Sequence, residues 1–353
     1  MIPQNNWPRL LLCWFDAHRR ELPWRESHPR NPYHVWVSEI MLQQTRTETV
    51  KDYFRRWMEQ FPTLQDLAQA SEEQILRAWQ GLGYYSRARN LHKAARQVMV
   101  EYGGEMPRDA KNLQSLPGIG AYTAGAIASM AFGQKVPAVD GNLLRVLARL
   151  YGVDQDITST AGKRTLTGLA ETSIPEDRPG DFNEAMMDLG ANICIPKHSR
   201  CGQCPLIEQC RAYQEKRTEQ LPVKRPKAPQ KEFAAACGLM IREGKFLLYK
   251  RPAKGMLASM WEFPMVLEET EKEARQGLDE LLQGKTGEVL WEHKHVFTHQ
   301  IWTMKAYVLK EGIVPEGEYA FFSPEEWEQV PLAGPHAKLA AFLKKGVDSK
   351  ERV

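Results

Sequence analysis

Four of the six cysteines in this 353-residue chain fall within one short segment, in the order Cys194-x6-Cys201-x2-Cys204-x5-Cys210. Such density restricts what the segment can become. Four thiolates on one loop can enclose a tetrahedral zinc or a cubane iron–sulfur cluster. Unrelated buried thiols or disulfides seldom crowd in this way. Zinc sites usually pair two short Cys-x2-4-Cys knuckles, and only Cys201–Cys204 forms one here, which favours iron–sulfur. Cys13 and Cys237 stand apart from the group.

The chain is longer than one typical core, so two domains are expected. No window approaches the run of uncharged apolar residues that a membrane span needs, and no membrane partner is expected. The first twenty residues lack the charged-then-apolar order and cleavage site of a signal peptide. A reducing, cytoplasmic location follows as the expectation, and it suits thiolate ligands better than disulfides. The net charge of +3 says little about partners. Its distribution says more, because residues 221–232 (LPVKRPKAPQKE) carry four basic side chains against one acidic. Pro222, Pro226 and Pro229 favour an extended, semi-rigid linker there. A solvated hinge and a hinge lying along phosphates are both open readings.

Residues 1–220 read as helices. Tyr33–Arg46, Gly83–Glu101, Val139–Tyr151 and Phe182–Ala191 carry helical patterns, and Ser71-Glu-Glu-Gln is a helix-start signal. Beyond the linker the texture changes. Phe233–Ile241 and Lys245–Lys250 read as strands around a turn at Glu243-Gly244, and Trp291–Phe297 with Gln300–Leu309 as a second hairpin. Helices are expected near Glu271–Leu282 and His336–Lys345. The expected architecture is therefore an all-α domain over 1–220, the linker 221–232, and a smaller α+β domain over 233–353.

Three motifs carry chemistry. Leu116-Pro-Gly-Ile-Gly120 makes a tight turn between helical stretches, where Gly118 and Gly120 let the backbone approach a phosphate and the next helix opens with free N–H donors. Asp140 follows in Val-Pro-Ala-Val-Asp-Gly-Asn. Glu39 lies in the apolar run Val35-Trp-Val-Ser-Glu-Ile-Met-Leu42. Burial there would raise its pKa and let it act as a general acid near neutral pH; a glutamate paired on a helix surface is the bland alternative.

With the cysteine loop downstream, the hairpin and aspartate resemble the helix-hairpin-helix DNA glycosylases. Trp36-Val-Ser-Glu-Ile-Met-Leu-Gln-Gln-Thr45 resembles the MutY-type adenine DNA glycosylases in particular. That resemblance implies a [4Fe-4S] cluster on Cys194, Cys201, Cys204 and Cys210. It implies that Glu39 protonates N7 of adenine, that Asp140 stabilises the charge growing on the sugar, and that Asn142 orients Asp140. Tyr122 occupies the place where bifunctional relatives carry a Schiff-base lysine, so a monofunctional enzyme is implied. Trp24, Arg25 and Glu184 match positions of the adenine pocket. Leu82, Tyr84 and Gln44 match residues that fill the hole left by a flipped base, with Thr45 and Gly83 close to the lesion strand. Arg87, Arg89, Arg145 and Arg149 stand open between phosphates, the cluster and ordinary surface.

Gly255-Met-Leu-Ala-Ser-Met-Trp-Glu-Phe-Pro264 resembles the MutT-like, Nudix-fold domain of that family. A Nudix hydrolase needs an Arg-Glu-x2-Glu-Glu helix to bind magnesium, and EKEARQGLDELL lacks that spacing, so recognition rather than hydrolysis is expected. The family's Phe-Ser-His reader loop becomes Phe297-Thr298-His299, in which Thr298 keeps a hydroxyl for 8-oxoguanine and adds a methyl. The implied substrate is double-stranded DNA with adenine opposite 8-oxoguanine or guanine, bound by a monomer. Three rivals are set against it: an endonuclease III-like pyrimidine glycosylase and lyase, a nucleotide pyrophosphatase, and a catalytically idle iron–sulfur DNA-binding module.

Overall fold

The structure is a computed structural model that describes residues 6–27, 29–225 and 229–350; Pro226 of the expected linker lies outside them. In chain order the helices are α1 (Trp7–His18), α2 (Pro32–Leu42), α3 (Thr47–Gln60), α4 (Leu64–Gln69), α5 (Glu72–Ala78), α6 (Ser86–Glu101), α7 (Ala110–Gln114), α8 (Ala121–Phe132), α9 (Gly141–Tyr151), α10 (Thr160–Ser173), α11 (Pro179–Asn192) and a single turn, α12 (Arg211–Gln214). Strands follow as β1 (Lys231–Leu239), β2 (Ile241–Arg242), β3 (Lys245–Lys250), β4 (Trp261–Glu262) and β5 (Met265–Glu268). Helix α13 (Glu271–Leu282) precedes β6 (Thr286–Val296), β7 (Gln300–Leu309), β8 (Tyr319–Phe322) and α14 (Gly334–Lys350). An all-α part thus precedes an α+β part. Among the described residues no helix is long and apolar enough to cross a membrane.

The chain divides into two compact units, and the division does not follow chain order: residues 1–70 and 90–226 form the first, and residues 71–89 and 227–353 the second. In the first unit α11 packs against α1, α8 and α9, and α2 packs against α8. One core there is built from Trp7, Phe15, Leu147, Phe182 and Met186, all nearly or fully excluded from water. Cys194, Cys204 and Cys210 pack against its edge. Leu221 is buried, and its carbonyl accepts a hydrogen bond from Arg149 Nε (2.8 Å), so the start of the expected linker is seated on this unit.

Several helix ends differ from the sequence expectation for local reasons. Helix α2 stops at Leu42 rather than Arg46 because Gln44 takes a left-handed backbone (φ 60°), which breaks the i to i−4 ladder. Helix α6 begins at Ser86 rather than Gly83, since Gly83 and Tyr84 both have positive φ. Helix α9 begins after Asp140, whose side chain caps it by accepting from Leu143 N. Ser71 caps α5 in a reciprocal box with Gln74, as the start signal there implies.

The hairpin at Leu116–Gly120 lies between α7 and α8, and its two glycines are not equivalent. Gly118 has φ 79°, and a Cβ there would stand 2.7 Å from Asn90 Cβ. Gly120 is the N-cap of α8 with ordinary φ and open space around it. Gly118→Ala is therefore expected to destabilise the chain by about 1–3 kcal/mol, through backbone strain and a clash that Asn90 cannot relieve without moving α6. A denaturant midpoint equal to that of the parent would refute this assignment, and Gly120→Ala serves as the mild control.

In the second unit one sheet runs β5-β1-β7-β6, with β1 and β7 parallel and the outer pairs antiparallel. The other runs β2-β3-β4, with β8 also paired to β3. Strand β1 is covered on both faces. Ala235, Cys237 and Leu239 join a core with Trp327 and Leu339, while Ala236 faces Leu278 of α13. Double burial explains why it reads as one apolar run rather than an alternating strand. Residues 71–89 complete this unit, with Arg89 Nη1 donating to Ala258 O (2.7 Å).

Candidate active site

Helix α2 is capped by Asn31, whose side chain accepts from Tyr33 N, and its first position is Pro32. The helix is buried over nearly all of its length, and Glu39 sits near its C-terminal end with 4% of its surface exposed. The Tyr122 hydroxyl, from the first turn of α8, donates to Glu39 Oε2. Burial pushes the Glu39 carboxyl up to about 7; the Tyr122 bond opposes that, the Asp140 charge adds to it, and Arg25 and Glu184 act in opposite senses more weakly. Burial likewise raises the Tyr122 hydroxyl well above its ordinary range, with the Glu39 charge as the next cause.

Asp140 is the other carboxylate of the group. Its Oδ1 accepts from Leu143 N (2.7 Å) and its Oδ2 from Asn142 Nδ2 (2.9 Å). Burial raises its pKa, while these hydrogen bonds and the Arg145 charge pull the other way. Two carboxyl groups with different surroundings thus share the field of one site, which separates an acid from a carboxylate. Asn142 is held in turn by Arg145, whose Nη2 donates to Asn142 Oδ1 (2.8 Å) and whose Nε donates to Cys194 O (2.8 Å).

Glu39 lines a cavity of about 30 Å³ together with Trp24, Arg25, Met130, Glu184 and Met187. That is room for a water-sized guest, so a base would enter by displacing side chains. A wider groove of about 750 Å³ shares Met130 and Glu184 as wall but contains neither carboxylate of the pair. Trp24 is buried and meets Phe54 edge-on with ring centroids 5.5 Å apart. The structure therefore gathers Glu39, Tyr122, Asp140, Asn142, Trp24, Arg25 and Glu184 in the first unit.

Sequence reasoning missed the ionic frame of this site. Asp188, fully buried on α11, accepts from Arg25 Nη1 (2.8 Å) and Arg20 Nε (2.8 Å). Arg30 pairs with Glu184 at 3.2 Å. A signal was present, since Glu184 and Asp188 stand four residues apart on one helix face.

The remaining candidates fall in two places. Gln44 and Thr45 follow α2 in the first unit, and Gln44 holds the strained backbone noted above. Leu82, Gly83, Tyr84 and Thr298 belong to the second unit. There the Tyr84 hydroxyl hydrogen-bonds Thr298 Oγ1, Tyr84 is exposed with φ 48°, and Leu82 is buried. Arg87 stiffens this loop by donating to Leu82 O (3.0 Å) and Gly83 O (3.1 Å).

Cys194, Cys201, Cys204 and Cys210 are all free. Burial pushes the Cys204 thiol up to about 12, and the other three cysteines each add to the rise, which places all four within one another's field. Among the described residues no three His, Cys, Asp or Glu side chains converge on one ion as the side chains stand. Four thiols on one short loop, three of them acting on the fourth, are a donor set of the kind that holds zinc or an iron–sulfur cluster. Arg149 faces them, donating to Cys194 Sγ (3.4 Å) and Ile195 O (2.7 Å).

Residues 37–171 match the family model of HhH-GPD superfamily base excision DNA repair proteins, and residues 236–341 match a NUDIX domain. Among solved structures, the chain is similar to a thermostable thymine-DNA glycosylase (31% identity, TM-score 0.54, 59% of this chain and 95% of that one). It is also similar to endonuclease III in a non-covalent DNA complex (27% identity, TM-score 0.50, 60% and 94%). The mouse adenine DNA glycosylase is 41% identical over an alignment that covers 85% of this chain and 69% of the mouse protein. The chain belongs to the adenine DNA glycosylase family. The human adenine DNA glycosylase is 40% identical over 87% of this chain and 67% of its own length. Membership makes the chain a DNA N-glycosylase with a helix-hairpin-helix domain followed by a Nudix-like α+β domain.

Proposed function

We propose that the protein excises adenine from duplex DNA in which adenine lies opposite 8-oxoguanine or guanine, as a monofunctional glycosylase of base excision repair. One observation carries the reading: a buried carboxyl, Glu39, held by Tyr122 beside a second carboxylate, Asp140, where a lyase would need an amine. Glu39 gives its proton to N7 of the flipped adenine. The C1′–N9 bond then breaks, its electron pair leaves with the neutral base, and the oxocarbenium-like sugar is stabilised by Asp140. Water adds at C1′ and its proton returns to Glu39.

Trp24, Arg25 and Glu184 enclose the base in this reading, and Gly118, Gly120 and the free N–H groups of α8 hold the phosphates. Gln44, Thr45, Leu82, Gly83 and Tyr84 fill and flank the vacated stack, and Thr298 bonds the oxidised guanine. Cys194, Cys201, Cys204 and Cys210 hold a [4Fe-4S] cluster, which when bound cross-links their loop and supplies no step of the excision. In the Nudix-like domain, Glu271 is spent on Lys305 (2.7 Å), and Asp279 Oδ1 accepts from Thr286 N (2.7 Å), which supports recognition over hydrolysis. The proposal places catalysis in 1–220, the hinge in 221–232 and lesion reading in 233–353, in a cytoplasmic monomer.

The test is base release from duplexes carrying A:8-oxoG, A:G or thymine glycol, assayed before and after alkali. Adenine release with strand cleavage only after alkali is expected. Release of the damaged pyrimidine with spontaneous cleavage, and none of adenine, would sink the reading.

The rate should also depend on pH in a defined sense. Glu39 acts only while protonated, and its pKa lies at about 7 rather than in the usual carboxylate range. Single-turnover excision is therefore expected to hold below about pH 7 and to fall about tenfold per unit above it. A rate independent of pH between 6 and 9 would remove Glu39 as the acid.

A further inference from the structure

The ionic frame behind the pocket is a chain of alternating charge: Arg20, Asp188, Arg25, Glu184, Arg30. Its most buried member is Asp188, whose side chain has no exposed surface. Arg25 Nη1 and Nη2 donate to its two oxygens (2.8 and 3.2 Å), Arg20 Nε donates to Oδ1 (2.8 Å), and the Arg20 backbone N–H donates to Oδ2 (3.3 Å). Arg25 Nε then faces Glu184 Oε1 at 3.2 Å, and Arg30 faces Glu184 Oε2 at the same distance. Arg20, Arg25 and Glu184 line the cavity that holds Glu39, whereas Asp188 stands behind that wall.

Arg25 thus has three carboxylates within its field: Asp188, Glu184 and Glu39. Both of its terminal nitrogens are bonded to Asp188 and its Nε faces Glu184. A guanidinium bonded to Glu39 instead would stabilise the ionised form and remove the proton that the excision needs.

We propose that Asp188 is a positioning residue for the excision, holding the Arg25 guanidinium on itself and Glu184 and so keeping it off Glu39. The inference rests on the adenine-excision reading above. The groups that act on Glu39 most directly are Tyr122 from α8, Asp140 ahead of α9, Arg25 before α2 and Glu184 from α11, and Arg20 also lines the cavity. Arg25 is the cation among the first four. With Asp188 ionised the five-residue chain carries one net positive charge. Neutralising Asp188 leaves two, beside the acid, with Arg25 free to turn toward it. Burial opposes ionisation of Asp188 itself, but Arg25 and Arg20 overcome it and hold its pKa low, so it stays charged throughout the working range.

The experiment is the pH profile of single-turnover adenine release by full-length Asp188→Asn, Asp188→Glu and parent protein, each with its metal centre intact. In Asp188→Asn the alkaline limb is expected to move down by about one pH unit, the scale of a nearby opposite charge. Asp188→Glu, which keeps the charge, is expected to bring the limb back toward the parent's. A limb that stays in place in Asp188→Asn, with only the melting temperature lowered, would mean that Asp188 is structural glue and overturn the proposal. Should Asp188→Asn fail to fold, Arg20→Gln supplies the complementary reading. Its loss turns Asp188 wholly to Arg25 and removes one cation, so the limb moves up; an unmoved limb overturns the proposal.

A companion readout needs no excision. The Glu39 carboxyl titration can be followed by infrared difference between each protein and its Glu39→Gln counterpart. A titration that shifts in Asp188→Asn while the parent releases no adenine would keep the positioning role and sink the adenine reading. Adenine release with an unshifted titration would do the reverse.

Discussion

Glu39→Gln is expected to lower single-turnover adenine release by about 10³-fold or more while leaving duplex binding within a fewfold of the parent. The amide has nearly the shape of the acid and can still accept from Tyr122, so the buried end of α2 keeps its packing. What it lacks is a proton that can be given to a leaving base. The binding residues proposed around the hairpin and the 82–84 loop are untouched. Burial of an amide is also less costly than burial of a carboxylate above pH 7, so the variant should melt no lower than the parent there. The sign follows from the direction of the shift. Glu39 binds its proton more tightly in the folded chain than in the unfolded one, so its contribution to stability declines as pH rises from the ordinary carboxylate range through about 7. Parent-like release by Glu39→Gln would exclude Glu39 as the acid, and loss of duplex binding would show that the substitution disturbs more than the proton.

Cys204→Ser is expected to have the largest effect on the folded state. The loop from Cys194 to Cys210 contains two three-residue 3-10 turns, Cys201–Gln203 and Ile207–Gln209, neither of which buries a residue. Leu206 is the apolar side chain that it buries in the neighbouring core. Such a loop has little of its own to offset the cost of ordering, and the proposed cluster would supply the difference. Replacing one thiolate should release iron and cost about 3 kcal/mol or more, the order expected for loss of a structural metal. Iron content, visible absorption and the melting curve together decide it. An iron-free protein that melts with the parent would show that the loop stands without its ligand set.

The site was legible wherever local chemistry was unusual for its surroundings. Glu39 announced itself as a charge in an apolar run, and the structure buries it. Asp140 was visible through its motif, Val-Pro-Ala-Val-Asp-Gly-Asn, though not as a helix cap; in the fold it caps α9 as well as facing Glu39. The cysteines were visible by spacing alone. Less legible were features that depend on which residues meet across the fold. Asp188 reads as one more polar residue on an amphipathic helix until α11 brings it against Arg20 and Arg25. The backbones at Gln44 and Tyr84 were equally hidden, because neither residue type signals a left-handed turn as glycine does. Strand β6 begins at Thr286, before the expected Trp291, since its first residues are mostly exposed and bulged and carry no alternation to read.

The excursion of residues 71–89 into the second unit bears on how such a chain can be taken apart. Tyr84 and Arg89 come from the first third of the sequence, yet they are bonded to Thr298 and Ala258 near the other end. A cut at residue 227 would remove the partners and leave Tyr84 and Arg89 behind on a chain that no longer answers them. The C-terminal part is therefore not a cassette that recombination could add or delete cleanly. Any exchange of it between relatives must keep the 71–89 segment in step, so the two stretches are expected to evolve as one piece although they are separated by more than a hundred residues of sequence.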